Sequence, residues 1–210
     1  RGIVKVATGG GKTVIAAAAI GELRRPTLFL IHRKELATQS RAFFQESLTV
    51  PIGLIAEGEW DVGSPVVVAM IQSLFARWKI DPAATERYLK TVGVVIADEA
   101  HKASSGSWEK MLRRVPAFYR FGLSGTPLVK HDVRDLTLIG LTGELLADAT
   151  PTQLISEGWL ARPQCVFLDA GVVRTTKTDR LSYRTAYEQL IVINRTRNMA
   201  ALAIVHSPKH

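Results

Sequence analysis

Cysteine is almost absent: Cys165 is the only one among 210 residues. No disulfide can form within the chain and no cysteine-based zinc site is available. A reducing, cytoplasmic setting is the natural expectation. Long apolar runs are also missing. The longest, residues 14–20, is mostly alanine and far short of the ~20 residues a membrane span needs. A secretory leader would need a basic start, an apolar stretch and a small-residue cleavage site, and none is present. Internal repeats are absent, and so is low-complexity sequence beyond the alanines at 16–19. Acidic residues are the minority, 19 against 27 Lys and Arg, for a formal charge of +8. With 47% hydrophobic and 22% charged residues, the composition excludes a disordered chain.

The basic excess is uneven. Residues 160–210 hold Arg162, Arg174, Lys177, Arg180, Arg184, Arg195, Arg197 and Lys209 against Asp169, Asp179 and Glu188. Such a balance suits a polyanion partner or an acidic neighbouring segment. The length allows one full α/β domain, or one domain and part of a second. The chain begins at Arg1 rather than Met and enters a motif within a few residues, so a fragment is expected.

Short apolar runs alternate with helical patterns, the rhythm of a parallel α/β sheet. Strands are expected at 3–7, 27–32, 66–70, 92–97 and 118–124, giving five or six in a doubly wound domain. Helices are expected at 12–24, ended by Pro26, and at 34–48. Thr150, Pro151 and Gln153 open a further helix with a capping box, and Gly158 closes it. A strand is expected at 165–168. Residues 182–206 read as largely helical, with Tyr183, Tyr187, Leu190, Ile191 and Asn194 on one face. A domain boundary is expected at 158–162.

Between the first strand and the first helix stands Ala7-Thr8-Gly9-Gly10-Gly11-Lys12-Thr13. That context fits a phosphate-binding loop. Glycines let backbone N–H groups turn toward phosphate without a Cβ clash, and a helix N-terminus adds partial positive charge. Lys12 is placed to reach the β- and γ-phosphates and Thr13 to hold Mg²⁺. Val6 stands where the general pattern has glycine, so the match is to its second half. Asp98-Glu99-Ala100-His101 follows the apolar run 94–97, and acids at that strand end face the phosphates of such a loop. Asp98 is the candidate Mg²⁺ ligand and Glu99 the candidate general base for the attacking water.

These residues resemble the first RecA-like domain of superfamily-2 DEAD/DEAH-box helicases and translocases. The resemblance is close over 1–160 and looser beyond. Motif I is Ala7 to Thr13 and motif II is Asp98 to His101. Motif III resembles Leu123-Ser124-Gly125-Thr126-Pro127, motif Ia resembles the run from Ile31 to Gln39, and a further nucleic-acid motif resembles the run from Val67 to Leu74. The resemblance implies a RecA-like P-loop NTPase fold with a mostly parallel sheet flanked by helices. Residues 161–210 would be the linker and the truncated start of a second such domain.

It implies ATP and Mg²⁺ as ligands, with Thr8, Gly9, Gly10, Gly11, Lys12 and Thr13 holding the nucleotide and Thr13 and Asp98 the metal. Lys12, Asp98 and Glu99 would be catalytic. Ser124 and Thr126 would couple nucleotide state to nucleic-acid binding through His101. Arg33, Gln72 and Ser73 would border the nucleic-acid track, with DNA favoured over RNA. Met70 stands where relatives commonly have threonine. His32 reads as a packed polar residue rather than a ligand, and Trp159 as packing the domain boundary. The run from Leu154 to Pro163 resembles the junction in phage recombination helicases and restriction-motor relatives, and Asn194 and Arg197 fit a helix that follows it.

Neither a second RecA-like domain with arginine-bearing motifs nor an adenine-reading segment ahead of Arg1 is present, so this chain alone is expected to turn over ATP poorly. The leading reading is an ATP-driven DNA helicase or translocase. Two alternatives stay open: the motor subunit of a restriction system, and a nucleotide-binding scaffold without productive turnover.

Overall fold

A computed structural model describes residues 1–104, 106–128, 132–165, 167 and 182–206. The chain divides into two compact units, Arg1–Ala161 and Arg162–His210, each treated by itself.

In the first unit the strands are β1 (Gly2–Val6), β2 (Thr27–Ile31), β3 (Ile52–Ala56), β4 (Glu59–Trp60), β5 (Val66–Met70), β6 (Val94–Asp98), β7 (Tyr119–Ser124) and β8 (Leu145–Ala149). They form one sheet in the order β4-β3-β5-β2-β6-β7-β1-β8. Only the β3–β4 pair is antiparallel; every other pairing is parallel. The helices are α1 (Lys12–Leu23), α2 (Lys34–Ser47), α3 (Ile71–Ile80), α4 (Pro82–Thr91), α5 (Gly106–Arg114), α6 (Val133–Thr142) and α7 (Pro151–Ser156).

The central strands are apolar on both faces, as a sheet covered on both sides requires. Leu28, Leu30, Val67, Ala69, Val95 and Ala97 pack with α3, α4, α5 and α6 residues such as Leu74, Leu89, Met111 and Leu138. Phe29, Ile31, Val66, Val68, Val94 and Ile96 pack with Ala16, Ala17 and Ile20 of α1 and Phe44 of α2. Two cores therefore hold the sheet between two helix layers.

The expected strands fall within two residues of β1, β2, β5, β6 and β7, and the sheet has eight strands where five or six were expected. The additional ones carry only short or interrupted apolar runs. Gly53 interrupts β3, and it cannot be replaced cheaply, because a Cβ there would lie 2.4 Å from the Asp61 carbonyl oxygen. β8 is largely exposed. The helix expected at 12–24 ends at Leu23, where Arg24 turns left-handed at φ 48° before Pro26 is reached.

Only half of the expected capping box of α7 forms. The Gln153 backbone N–H donates to Thr150 Oγ1 at 3.2 Å, but the Gln153 side chain donates to Glu157 Oε1 at 3.0 Å rather than reaching back to Thr150.

The second unit contains α8 (Tyr183–Tyr187), a π-helical turn (Glu188–Val192) and α9 (Arg195–His206). The single helical face expected for 182–206 is thus broken near Asn194. Asn194 instead caps α9, its Oδ1 accepting from the Arg197 N–H at 3.0 Å. The strand expected at 165–168 includes residues outside the described set.

Candidate active site

Because β1, β2, β5, β6 and β7 run the same way, their carboxyl ends share one edge of the sheet. That edge is where open α/β sheets bind ligands. β7 lies between β6 and β1, with Ser124 beside Lys5 and Leu123 beside Asp98. The loop after β1, the acids ending β6 and the turn after β7 are therefore neighbours by register.

The loop from Ala7 to Gly11 reverses the chain with Gly9 and Gly11 both at φ 82°, a region that L side chains disfavour. The Gly10 N–H donates to the Ala7 carbonyl at 2.9 Å. Gly10 is close-packed: a Cβ there would meet Val6 Cγ1 and Leu154 Cδ1, both at 2.7 Å, so those side chains would have to shift. Lys12 and Thr13 begin α1 immediately afterwards.

Asp98 is half-buried, and its buried Oδ1 has no hydrogen-bond partner. Burial, then the neighbouring Glu99 charge, pushes its carboxyl above the usual range; a backbone N–H of Glu99 and the Lys12 charge oppose the rise. An orphaned carboxylate oxygen beside a lysine fits a site completed by a hard cation. No group of three or more His, Cys, Asp or Glu able to hold a metal occurs among the described residues. The fit is to Mg²⁺, which keeps several waters and takes one or two carboxylates plus substrate phosphates. Thr13 and Asp98 are the residues that would hold it.

Glu99 adopts φ 53°, ψ 48°, a left-handed conformation that costs a non-glycine residue about 1–2 kcal/mol. It turns the chain into a short 3₁₀ segment, Ala100–Lys102. That turn aims His101 back at the acids: its Nδ1 lies 3.3 Å from Glu99 Oε2 and 3.0 Å from Ser124 Oγ. Ser124 is fully buried and its Oγ also accepts from the Thr126 N–H at 3.2 Å. His101, Ser124 and Thr126 are thus linked by hydrogen bonds, with Glu99 against the same imidazole nitrogen.

Arg33 follows β2 and sits at the N-cap of α2, exposed. Gln72 and Ser73 open α3 directly after β5. Since Ile31 pairs with Met70, these residues leave adjacent strands at the same edge. Ser73 Oγ accepts from the Glu57 N–H at 3.3 Å, in the β3–β4 turn.

Two contacts lie outside the sequence expectations. Lys34 pairs with Glu57 at 2.5 Å. Lys102 Nζ lies 2.6 Å from His32 Nε2, which also accepts from Arg33 Nε at 3.2 Å. With Nε2 accepting, the proton sits on Nδ1. Burial first, then the Lys102 and Arg33 charges, lower the His32 pKa, so the imidazole is neutral. His32 is a packed polar residue, as expected, and it links the start of α2 to the turn behind His101. The Lys102 immediately after the Asp-Glu-Ala-His run was the available sequence signal.

Trp159 departs from its expected packing role. It is 75% exposed.

Comparison with known proteins agrees with this geometry. The family model described as "Type III restriction enzyme, res subunit" matches residues 1–129. The chain is 29% identical over 190 residues to the DNA 3'-5' helicase XPB of Mycobacterium tuberculosis, covering 88% of this chain and 33% of that protein. It spans about a third of the length of the curated relatives it matches. The fold resembles the UvsW helicase from Bacteriophage T4, with a TM-score of 0.57 and 22% identity, over 70% of this chain and 54% of that one. It also resembles a nuclease-deletion mutant of the type ISP restriction-modification enzyme LlaGI, solved with a DNA substrate mimic. There the TM-score is 0.58 at 18% identity, over 76% of this chain and 19% of that one. The chain belongs to the family of type III restriction enzyme res subunits and carries a superfamily-2 helicase domain of RecA-like fold.

Proposed function

We propose that this chain is the ATP-binding RecA-like domain of a DNA helicase or translocase that couples ATP hydrolysis to movement along a phosphate backbone. One observation carries the reading. The parallel sheet delivers the glycine loop, Asp98 with Glu99, and Ser124 with Thr126 to the same edge as Arg33, Gln72 and Ser73.

On this reading Thr8, Gly9, Gly10, Gly11, Lys12 and Thr13 cradle the ATP phosphates. Thr13 and Asp98 hold Mg²⁺, which neutralises charge on the phosphates when bound. Glu99 orients the attacking water and takes its proton. His101, in contact with both Glu99 and Ser124, transmits the state of that site to the turn at Thr126. Residues 1–160 form the first RecA-like domain, and 161–210 are the linker and beginning of a second, in a cytoplasmic protein. A restriction-system motor is the specific variant favoured by the family match over residues 1–129.

The test is ATP hydrolysis by the full-length protein with and without single-stranded DNA, duplex DNA and RNA. Stimulation by DNA is expected. Nucleotide binding with no stimulation by any nucleic acid would replace the motor with a nucleotide-dependent scaffold.

A second expectation concerns salt. If Arg33 and its neighbours grip phosphates, log affinity for duplex DNA falls linearly with log salt concentration, by roughly 0.9 per phosphate neutralised. Fluorescence anisotropy across a salt series checks this, and a flat response would remove the phosphate track.

A further inference from the structure

A second concentration of positive charge stands away from the sheet edge, on the helix layer where α3 and α5 share a core through Leu74 and Met111. Phe75 and Trp78 of α3 stack there, ring centroids 5.8 Å apart and planes 20° from parallel. Lys79 Nζ lies 4.6 Å from the Phe75 centroid, and Lys110 Nζ of α5 lies 5.8 Å from the same ring. The Arg114 guanidinium sits 4.1 Å from the Trp78 centroid. We propose that this aromatic-backed cationic face is a second phosphate-binding surface. It takes one strand of a DNA duplex whose other strand lies at the edge marked by Arg33, Gln72 and Ser73. The proposal rests on that edge being the nucleic-acid track; it adds a surface to the track and selects duplex over single strand.

Three observations carry it. First, the charge is gathered but not neutralised. Among the described residues, none of the three cations makes an ion pair with a carboxylate. Two acids of the same helix layer are engaged: Glu86 Oε1 accepts from Trp78 Nε1 at 3.5 Å, and Glu109 pairs with Arg113 at 2.8 Å. Elsewhere on the unit, Lys5, Arg41 and Arg134 each pair with an acid. Ring faces attract cations and leave their charge in place. The stacked pair therefore offsets the repulsion among Lys79, Lys110 and Arg114 while keeping a field that draws a polyanion.

Second, the face is ordered before a ligand arrives. Arg114 Nη1 donates to the Lys110 carbonyl at 2.7 Å, and the indole beneath Arg114 is tied to Glu86. Long side chains already resting on rings have less freedom to lose on binding.

Third, the position selects a duplex. Gln72, Phe75 and Lys79 follow one another along α3 at spacings of three and four, which puts them on one side of the helix. At about 1.5 Å of rise per residue, Lys79 stands about 10 Å beyond Gln72 along the axis. The major groove that separates the two strands of B-form DNA is about 12 Å wide. One strand at the Gln72 edge thus brings the other toward Lys79 and Lys110, whereas a lone strand at that edge leaves them unused. An acidic polypeptide would also meet the charge, but nothing in the spacing favours one.

The experiment is fluorescence anisotropy of the full-length protein on a labelled DNA duplex and on one of its strands alone, each across a salt series. Lys79→Gln with Lys110→Gln should weaken duplex binding about tenfold at about 0.1 M salt. The same double variant should make the log–log salt slope shallower by roughly 1.8, for two phosphates at about 0.9 each. Its single-strand affinity should stay within about twofold of the parent. Lys79→Arg with Lys110→Arg keeps both charges on the rings and should bind duplex like the parent. Duplex binding unchanged in the glutamine variant, or weakened equally for duplex and single strand, overturns the proposal. So does a glutamine variant that loses poly-L-glutamate binding but keeps the duplex, since the surface then belongs to an acidic protein. Arg33→Ala checks the edge separately and should weaken both DNAs. No change in either would overturn the edge reading itself, whatever the lysines do.

Discussion

Glu99→Gln is expected to lower ATP turnover by the full-length protein about 10²- to 10⁴-fold, the usual contribution of a positioned general base, while leaving ATP binding in place. The substitution keeps side-chain length and one acceptor oxygen. The contact with His101 Nδ1, now 3.3 Å from a Glu99 oxygen, can therefore survive. What it removes is the ability to take a proton from water. The left-handed backbone at Glu99 is as acceptable to glutamine as to glutamate, so the turn into Ala100–Lys102 should hold. Steady-state kcat should collapse while the Kd for ATP, measured by equilibrium binding, stays within a few-fold. A kcat within about twofold of the parent would take Glu99 out of the base role. Equal losses in binding and turnover would mean that the substitution disturbed the site as a whole.

Arg120→Met is expected to destabilise the domain by about 3 kcal/mol or more. Arg120 lies on β7 and is only 7% exposed. Its guanidinium donates to three backbone carbonyls: Leu141 at 2.6 Å, Val115 at 2.6 Å and Leu112 at 2.7 Å. Leu112 and Val115 belong to the end of α5 and the residue after its close, and Leu141 to the last turn of α6. The last carbonyls of a helix have no partner within it and carry partial negative charge. One planar cation with a fixed fork of donors satisfies two helix ends at once. Burial, then the neighbouring Arg1 charge, lowers its pKa, yet a guanidinium this basic remains protonated at neutral pH. Methionine fills similar volume but takes the guanidinium away from the Val115 and Leu141 carbonyls, at about 1–3 kcal/mol for each that water cannot reach, while the Leu112 carbonyl keeps only the bond from the Val115 N–H at 3.3 Å. Arg120→Lys should rescue little, since an ammonium cannot span three acceptors in this geometry. Urea unfolding measures the change. A loss below about 1 kcal/mol would show that water replaces the guanidinium.

Arg120 also illustrates what the sequence withholds. The run 118–124 is legible as a strand because Tyr119, Phe121 and Leu123 alternate with smaller or polar residues. Nothing in that pattern says that the arginine within it is buried, because its partners are carbonyls 5, 8 and 21 residues away along the chain and invisible to periodicity. The central strands were legible for the opposite reason: a strand covered on both faces must be apolar throughout, and β2, β5 and β6 announce themselves. β3 and β8 did not, one broken by Gly53 and the other left exposed.

The site divides in the same way. The glycine loop and the Asp98–Glu99 pair are local signals whose residue types and spacing already imply phosphate and metal. The meeting of His101 with Ser124, 23 residues apart, and of His32 with Lys102, 70 apart, depends on the order in which strands join the sheet. That order is a property of the whole chain. Trp159 misled because an aromatic at the end of a domain usually packs, whereas here it follows the left-handed turn at Gly158 and stays exposed.

The parallel sheet has one more consequence. With the chemistry gathered at the carboxyl ends of the strands, the connections at the opposite ends are spared from it. The return from β4 to β5, residues 61–65, runs along that far side. Gly63 there is exposed, and a Cβ would meet nothing nearer than Asp61 Oδ1 at 4.0 Å. A fluorophore or surface tether attached at that position would report on the molecule from behind, with the nucleotide loop and the nucleic-acid edge left open to their ligands.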